Sequence, residues 1–124
     1  MPTLPPAVKR GELYFCEPDP QDTVGSEQEK DRPWVIISVS HLQRGNCVIG
    51  IPLSRQLSKA NAHLIKIPHS ELLVEPGETA LDSVALTDQI RALDKTRFRK
   101  KHGKISERGL NSILLGVKRI LGIV

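Results

Sequence analysis

The sequence predicts a mainly β (α+β) fold, in which a small β-barrel or curled antiparallel sheet is followed by one C-terminal helix. Two observations predict it. Five to seven short runs of strand-forming residues are separated by turn residues as far as residue 105. One continuous helical pattern then closes the chain. The 124 residues suffice for a single core, so we expect a flexible tail at 1–8 and one domain at 9–124.

The first two predicted strands flank a long polar segment. Residues 11–17 carry β-forming residues at their centre and predict the first strand. Residues 18–33 contain three prolines and many charges, and they predict a loop. Loops of this length in a small domain are usually functional or disordered. The apolar run 34–39 predicts a buried, central strand.

The later strands are less regular. Residues 47–54 predict a third strand, in which Pro52 fits an end, an edge or a bulge better than a central position. A weak alternation marks 62–67, and Pro76-Gly77 predicts a turn. Residues 83–93 predict one strand of mixed pattern. The charged segment 94–105 predicts a connection with one short strand near 103–105.

The last segment predicts a helix with Ser106 as its N-cap and Gly122 just after its last turn. Six of its apolar residues fall on one face and form a continuous stripe: Leu110, Ile113, Leu114, Val117, Ile120 and Leu121. The stripe and the apolar strand together exceed what one thin barrel can cover, which predicts a homodimer.

Composition restricts the function. Four aromatic residues are too few for a protein that binds RNA by stacking bases on a platform. The net charge of +4 and the pI of 9.3 favour a polyanionic partner, or simply a solvated basic surface. The same two interpretations apply to the basic run 97–104.

Several other classes are not supported. No apolar run approaches a membrane span and no signal-peptide pattern begins the chain, which predicts a cytoplasmic protein. Cys16 and Cys47 form no CxxC pair and are expected to be buried thiols. The four histidines lack metal-ligand spacing, and no phosphate-binding glycine loop is present, so we expect no metal and no cofactor.

An arginine and a hydroxyl at strand ends remain as candidates. Arg32 stands before the apolar strand and Ser54 ends the third strand. The ordinary alternatives are a surface ion pair of Arg32 with a nearby acid and a turn-forming hydroxyl for Ser54.

Five blocks of the chain, in order, resemble the MazF/PemK (Kid) toxins of bacterial toxin–antitoxin modules. The resemblance covers about residues 9–123. The blocks are Arg10-Gly11-Glu12 with Asp19-Pro20, Gly25-Ser26-Glu27-Gln28 with Arg32-Pro33, the Pro-Leu-Ser strand end at 52–54, "LTDQIRALD" at 86–94, and the closing helix after "KIS" at 104–106.

The resemblance implies an SH3-like barrel that works as a homodimer and cleaves single-stranded RNA at specific sequences without a metal. The RNA 2′-hydroxyl would attack the adjacent phosphate and leave a 2′,3′-cyclic phosphate and a 5′-hydroxyl. An acidic antitoxin protein would occupy the same groove.

The resemblance also implies roles for individual residues. Arg32 would stabilise the phosphorane charge, and Ser54 would donate to the same phosphate. Glu27 matches a loop acid needed for activity, and Asp88 matches an aspartate that is a candidate general base. The remaining polar residues are candidates for RNA binding: Gln28, Gln89, Arg55 and Lys59.

Three departures from the family pattern matter. Ser54 stands where threonine is more frequent, Ser26 stands where some relatives carry histidine, and residues 28–32 lack the usual glycine. The alternative function is a non-catalytic barrel of this fold that binds RNA or protein. One such class, the CcdB gyrase poisons, ends in Trp-Gly-Ile, whereas this chain ends Leu-Gly-Ile-Val.

Overall fold

The computed structural model describes residues 8–17, 32–40 and 45–123. Over these residues the chain forms eight β-strands and one α-helix, one strand more than the upper prediction. The strands are β1 (Glu12–Cys16), β2 (Arg32–Ile36), β3 (Cys47–Ser54), β4 (Ile65–Ile67), β5 (Leu72–Val74), β6 (Ser83–Ala85), β7 (Arg91–Asp94) and β8 (Phe98–Ile105), and the helix is α1 (Glu107–Leu121).

The strands form one curled antiparallel sheet that nearly closes into a barrel. Their order is β4, β6, β3, β2, β1, β8, β5, and β7 also pairs with β3. Every pairing is antiparallel. The predicted mainly β fold with a C-terminal helix is confirmed.

Strand β3 has the predicted bounds, and it lies inside the sheet. One side pairs with β2. On the other side, residues 47–50 pair with β7 and residues 53–54 pair with β6. Pro52, which has no N–H to donate, stands where this change of partner occurs. The sheet therefore accommodates the proline inside a central strand, at a position that the sequence had assigned to an end, an edge or a bulge.

Strand β2 is central, as predicted, but shifted. It begins at Arg32, inside the predicted loop, because Arg32 pairs with Cys16 of β1. It ends at Ile36, because the N–H groups of Ile37 and Ser38 both point to the carbonyl of Ile49 and break the ladder. Residues 18–31 of the predicted loop 18–33 lie outside the described residues.

The sheet is buried on both faces at β1 and β2. One core contains Leu13 and Val35, and a second contains Tyr14 and Ile36. Because successive side chains of a strand point to opposite faces, burial of both faces produces the continuous apolar pattern of β2. Val8, assigned by the sequence to the terminal tail, is fully buried in the second core.

The segment 83–93 is not one strand. It breaks into β6, a 3₁₀ turn at Thr87–Gln89 and β7. The break is a corner of the barrel, since β6 and β7 pair with different halves of β3. The hydroxyl of Thr87 bonds at the corner to the carbonyl of His63, a tertiary contact that periodicity cannot show.

The predicted connection 94–105 is mostly strand. After a 3₁₀ turn at Lys95–Arg97, β8 runs for eight residues and pairs with both β1 and β5. The lysines of β8 make its sequence resemble that of a solvated loop. In the structure they form ion pairs, with Lys100 Nζ 2.9 Å from Glu78 Oε2 and Lys101 Nζ 2.9 Å from Glu12 Oε2. Strand β5 was not predicted.

Helix α1 has the predicted ends. The Ser106 hydroxyl accepts from the N–H of Gly109, and Gly122 adopts a left-handed conformation with φ 69°. The helix packs on the sheet through Gly109, Ile113 and Gly116, which are buried. Leu110 and Val117 of the apolar stripe also pack against the core, whereas Leu114 is half-buried and Leu121 is 57% exposed.

The two cysteines differ in their environment. Cys16 is buried, as predicted, whereas Cys47 is exposed. Cys47 and Ile49 share the outward face at the start of β3, and Val48 and Gly50 share the inward face. Across the three described segments, no helix is both long and apolar enough to cross a membrane.

Candidate functional site

Arg32 and Ser54 come to the same place on the sheet. Arg32 opens β2, Ser54 closes β3, and the two strands are neighbours. Trp34 faces Pro52 in their antiparallel register. Two residues beyond this last pair, Arg32 begins β2 and Ser54 ends β3, and alternation along each strand points both side chains to the same face. Arg32 and Ser54 thus lie at the neighbouring ends of two paired strands, at one end of the barrel.

The Ser54 hydroxyl is held in place by the backbone. It accepts the N–H of Gln56 at 3.1 Å, and only 5% of the residue is exposed. A hydroxyl can accept one hydrogen bond and donate another. The bond from Gln56 therefore fixes the oxygen and leaves its proton able to point toward an anion at the strand end. The turn-forming role and the donor role of Ser54 are compatible.

Two basic residues follow Ser54 directly. Arg55 is exposed, and Lys59 is half-buried at the end of a 3₁₀ turn, Leu57–Lys59. The Lys59 N–H donates to the carbonyl of Gln56 at 3.0 Å. Both cations lie within five residues of the end of β3. Basic side chains in such a position are suited to contacts with phosphates.

Asp88 and Gln89 lie next to β3, on the side opposite to β2. Both are exposed and belong to the 3₁₀ turn Thr87–Gln89, which we call the 87–89 turn. The turn is anchored to β3, because the N–H of Leu86 donates to the carbonyl of Pro52 at 3.0 Å. Ser54 pairs with Val84 and Gly50 pairs with Arg91, so the chain between them runs back along β3 from its end. The sequence-predicted carboxylate and amide therefore lie beside the middle of β3, between the Pro52 contact and the Gly50–Arg91 pair.

Two predicted site residues, Glu27 and Gln28, lie outside the described residues. The same is true of Ser26. Their roles stay predictions from the family resemblance.

Arg91 was missed by the sequence analysis. It is half-buried and faces Gly50 across β3 and β7. Gly50 also faces Ile36 of β2, so Arg91 shares the face of the sheet on which Arg32 and Ser54 lie. Its position in the "DQIR" block is the signal that could have identified it.

A polar network adjoins the site on β1. Glu12 accepts from the backbone N–H of Lys9 at 2.7 Å and from the hydroxyl of Tyr14 at 3.2 Å, and it forms the ion pair with Lys101. Burial opposes ionisation of Glu12, but the bonds from Lys101 and Lys9 outweigh it and lower its pKa. Burial and the adjacent Glu12 charge raise the pKa of Tyr14. Tyr14 faces Trp34, so this network supports β2 two residues from Arg32.

Comparison with known proteins gives the family. Residues 9–121 match the family described as PemK-like, MazF-like toxin of type II toxin–antitoxin system. The chain is 31% identical to "Endoribonuclease MazF" of Staphylococcus saprophyticus over 94% of this chain and 92% of that protein. It is 36% identical to "Endoribonuclease EndoA" of Bacillus subtilis over 76% of this chain and 77% of that protein.

A solved structure has the same fold. It is the "Endoribonuclease in complex with its cognate antitoxin from Mycobacterial species", with a TM-score of 0.67 and 19% identity over 96% of this chain and 97% of that one. At this identity the likeness concerns the fold alone. Because the family match spans nearly the whole described barrel and helix, the chain belongs to the PemK-like, MazF-like toxins of type II toxin–antitoxin systems.

Proposed function

We propose that this protein is a sequence-specific endoribonuclease toxin that cleaves single-stranded RNA without a metal and is neutralised by an antitoxin. The observation that carries the proposal is that Arg32 and Ser54 lie at the neighbouring ends of two paired strands, each two residues beyond the Trp34–Pro52 pair. Family membership supports it, since two relatives are named endoribonucleases.

The reaction needs no nucleophile from the protein. The 2′-oxygen of the RNA forms a bond to the adjacent phosphorus, and the bond from phosphorus to the 5′-oxygen breaks. A base removes the 2′-hydroxyl proton, and an acid gives a proton to the departing 5′-oxygen. The products are a 2′,3′-cyclic phosphate and a 5′-hydroxyl.

Arg32 and Ser54 act on the phosphate in this mechanism. Negative charge accumulates on the phosphorane oxygens, and a guanidinium can contact two of them at once. The Ser54 hydroxyl, fixed by the N–H of Gln56, donates to the same group. Donors that are already oriented need no rearrangement at the moment of reaction.

Proton transfer is assigned to a carboxylate. Asp88 is exposed on the 87–89 turn, beside the middle of β3, and Glu27 is the second candidate. Either is better suited than Arg32, because an arginine stays protonated in proteins and is a poor base.

RNA binding is assigned to the polar groups around the strand end. Arg55 and Lys59 would contact phosphates, and Gln89 and Gln28 would contact base edges or order the loop. The chain carries a net charge of +4, which favours binding of RNA and of an acidic, disordered antitoxin segment in the same groove. Both partners would be met in the cytoplasm.

The proposal is tested by incubating the purified protein with a long single-stranded RNA in EDTA. We expect fragments with 5′-hydroxyl ends at a short recurring sequence, mapped by primer extension. Arg32→Ala should lower the cleavage rate by at least about 10²-fold, since removal of one oriented donor costs about 10²–10³. Arg108→Ala, an exposed arginine of α1, is the control and should leave the rate unchanged.

A different result would identify the alternative. No cleavage by the wild-type protein, with RNA or protein binding retained or gyrase inhibited, would point to the non-catalytic barrel. Full activity of Arg32→Ala would place the reaction elsewhere in the molecule.

A further inference from the structure

A buried hydroxyl fixes the turn that carries Asp88 and Gln89. Thr87 is fully buried, although threonine is usually a surface residue. Its Oγ1 donates to the carbonyl of His63 at 2.6 Å. The two residues are 24 positions apart in the sequence. The bond therefore connects the 87–89 turn to residues 61–64, which we call the 61–64 loop.

The 61–64 loop is itself rigidly built. The side-chain oxygen of Asn61 accepts the N–H groups of His63 and Leu64 at 2.9 Å and 2.8 Å, and the Asn61 N–H donates to the carbonyl of Leu64 at 3.0 Å. An asparagine that closes a turn in this way fixes the direction of the carbonyls within it. The His63 carbonyl is therefore a firm anchor for Thr87.

Helix α1 packs against the same junction at a glycine. A methyl group at Gly116 would lie 2.7 Å from the His63 oxygen and 3.2 Å from the Cγ2 of Thr87. Both distances are shorter than ordinary contacts, so only glycine allows this approach. One turn further on, Arg119 donates to the carbonyl of Ala62 at 2.6 Å. The helix thus packs against both the 61–64 loop and the 87–89 turn.

The other side of the turn is joined to β3. The Leu86 N–H bonds to the Pro52 carbonyl, and the Gln89 N–H bonds to the Leu86 carbonyl at 2.9 Å. Thr87 lies between these anchors with its side chain turned inward, while Asp88 and Gln89 are exposed. The position of the two exposed side chains relative to β3 is set by the contacts of Leu86 and Thr87.

We propose that Thr87 and Gly116 are positioning residues, which hold Asp88 and Gln89 in a fixed place against β3 for RNA cleavage. This inference rests on the proposed function. Neither residue touches the RNA. Displacement of a reacting group by about 1 Å costs on the order of 10²-fold in rate, so a small shift of this turn is sufficient for a large effect.

The main test is Thr87→Val, which keeps the branched shape and removes the hydrogen bond. We expect kcat/KM on an oligoribonucleotide to fall by about ten- to a hundredfold. Thr87→Ser keeps the hydroxyl and should retain most of the activity. Gly116→Ala should lower kcat/KM in the same direction, because its methyl group displaces His63 or Thr87.

The matched control is Gly109→Ala, the same substitution on the same helix. The nearest atoms to its methyl group would be side-chain atoms at the opposite end of α1, at 2.8 Å in Ile105 and 3.3 Å in Ser106, whereas the methyl group at Gly116 meets a backbone oxygen. We expect Gly109→Ala to leave kcat/KM near the wild-type value when folding is verified by circular dichroism. Equal losses in Gly109→Ala and Gly116→Ala would mean that the helix acts only through stability, which contradicts the proposal.

A double-mutant test separates positioning from general destabilisation. In a protein that already carries Asp88→Asn and Gln89→Ala, adding Thr87→Val should change kcat/KM by less than about twofold, since the groups that it positions are gone. The same loss in both backgrounds would overturn the proposal.

The remaining outcomes are also decisive. If Thr87→Val does not fold, Arg119→Gln loosens the same junction from an exposed side chain and should lower kcat/KM in the same direction. A wild-type protein that cleaves, with Thr87→Val, Gly116→Ala and Arg119→Gln all at wild-type rate, overturns this inference alone. A wild-type protein that does not cleave overturns the proposed function and this inference together.

Discussion

At the scale of single residues, Arg32 and Ser54 offer the phosphate two different donors. A charged donor forms hydrogen bonds roughly twice as strong as a neutral one. Arg32 has a half-buried position at the start of β2, while Ser54 is buried and fixed by Gln56. Their contributions to the rate should therefore be unequal.

The Ser54 substitutions test this difference. We expect Ser54→Ala to lower the cleavage rate less than Arg32→Ala does, because it removes a neutral donor. Ser54→Thr should keep activity, since it retains the hydroxyl and adds a methyl group that restricts its rotamer. The measurement is kcat/KM on one oligoribonucleotide for all three variants. An inactive Ser54→Thr would show that the buried site cannot take the methyl group.

A second residue-scale prediction concerns pH. The folded protein lowers the pKa of Glu12 below its ordinary value of 4.5, so the stability that this carboxylate supplies is present above pH 4.5 and is lost as the pH falls through the lower, folded value. Glu12→Gln should flatten the acid side of a plot of unfolding free energy against pH. The exposed Glu17→Gln serves as a control, and equal slopes for Glu12→Gln and the wild type would contradict the prediction.

At the scale of elements, the ends of α1 have a measurable role. The Ser106 hydroxyl accepts from the Gly109 N–H at 3.0 Å and donates to the carboxylate of Glu71 at 3.0 Å. Ser106→Ala should destabilise the protein by about 1 kcal/mol, the usual cost of losing an N-cap. Chemical denaturation measures it, with Ser112→Ala in the same helix as the comparison. A loss no larger than that of Ser112→Ala would argue against the cap.

The sequence could predict elements whose signals are local. Strand β3 and helix α1 have the predicted bounds because β-forming runs, caps and helical periodicity depend on neighbouring residues. Strand β8 was missed because Lys100 and Lys101 look solvated until Glu78 and Glu12 are seen beside them.

The candidate site was predictable only through the family resemblance. Arg32 and Ser54 are 22 positions apart in the sequence, and only the register of β2 and β3 aligns them. The break at Thr87 was not predictable, since its cause is the carbonyl of His63 and the close approach of Gly116. Contacts of this kind are tertiary and have no periodicity.

At the scale of the whole molecule, the apolar flank of α1 predicts self-association. Leu121 is 57% exposed, Leu114 is half-buried, and Ile123 beyond the helix is 55% exposed. We expect sedimentation equilibrium at micromolar concentration to give about twice the monomer mass of 13.8 kDa. Leu121→Asp should shift the protein toward monomer. Leu115→Asp, at a similarly exposed leucine on another side of the helix, should not.

The central position of β3 has a consequence for how the protein unfolds and is degraded. This strand borders β2 along one side and β7 and β6 along the other. Among the described strands, loss of β3 breaks pairings on both of its sides, so we expect all-or-none unfolding. We therefore expect one proteolytic cut within β3 to unfold the whole domain, so that a single cleavage event in a cell ends the activity and leaves no partly active fragment.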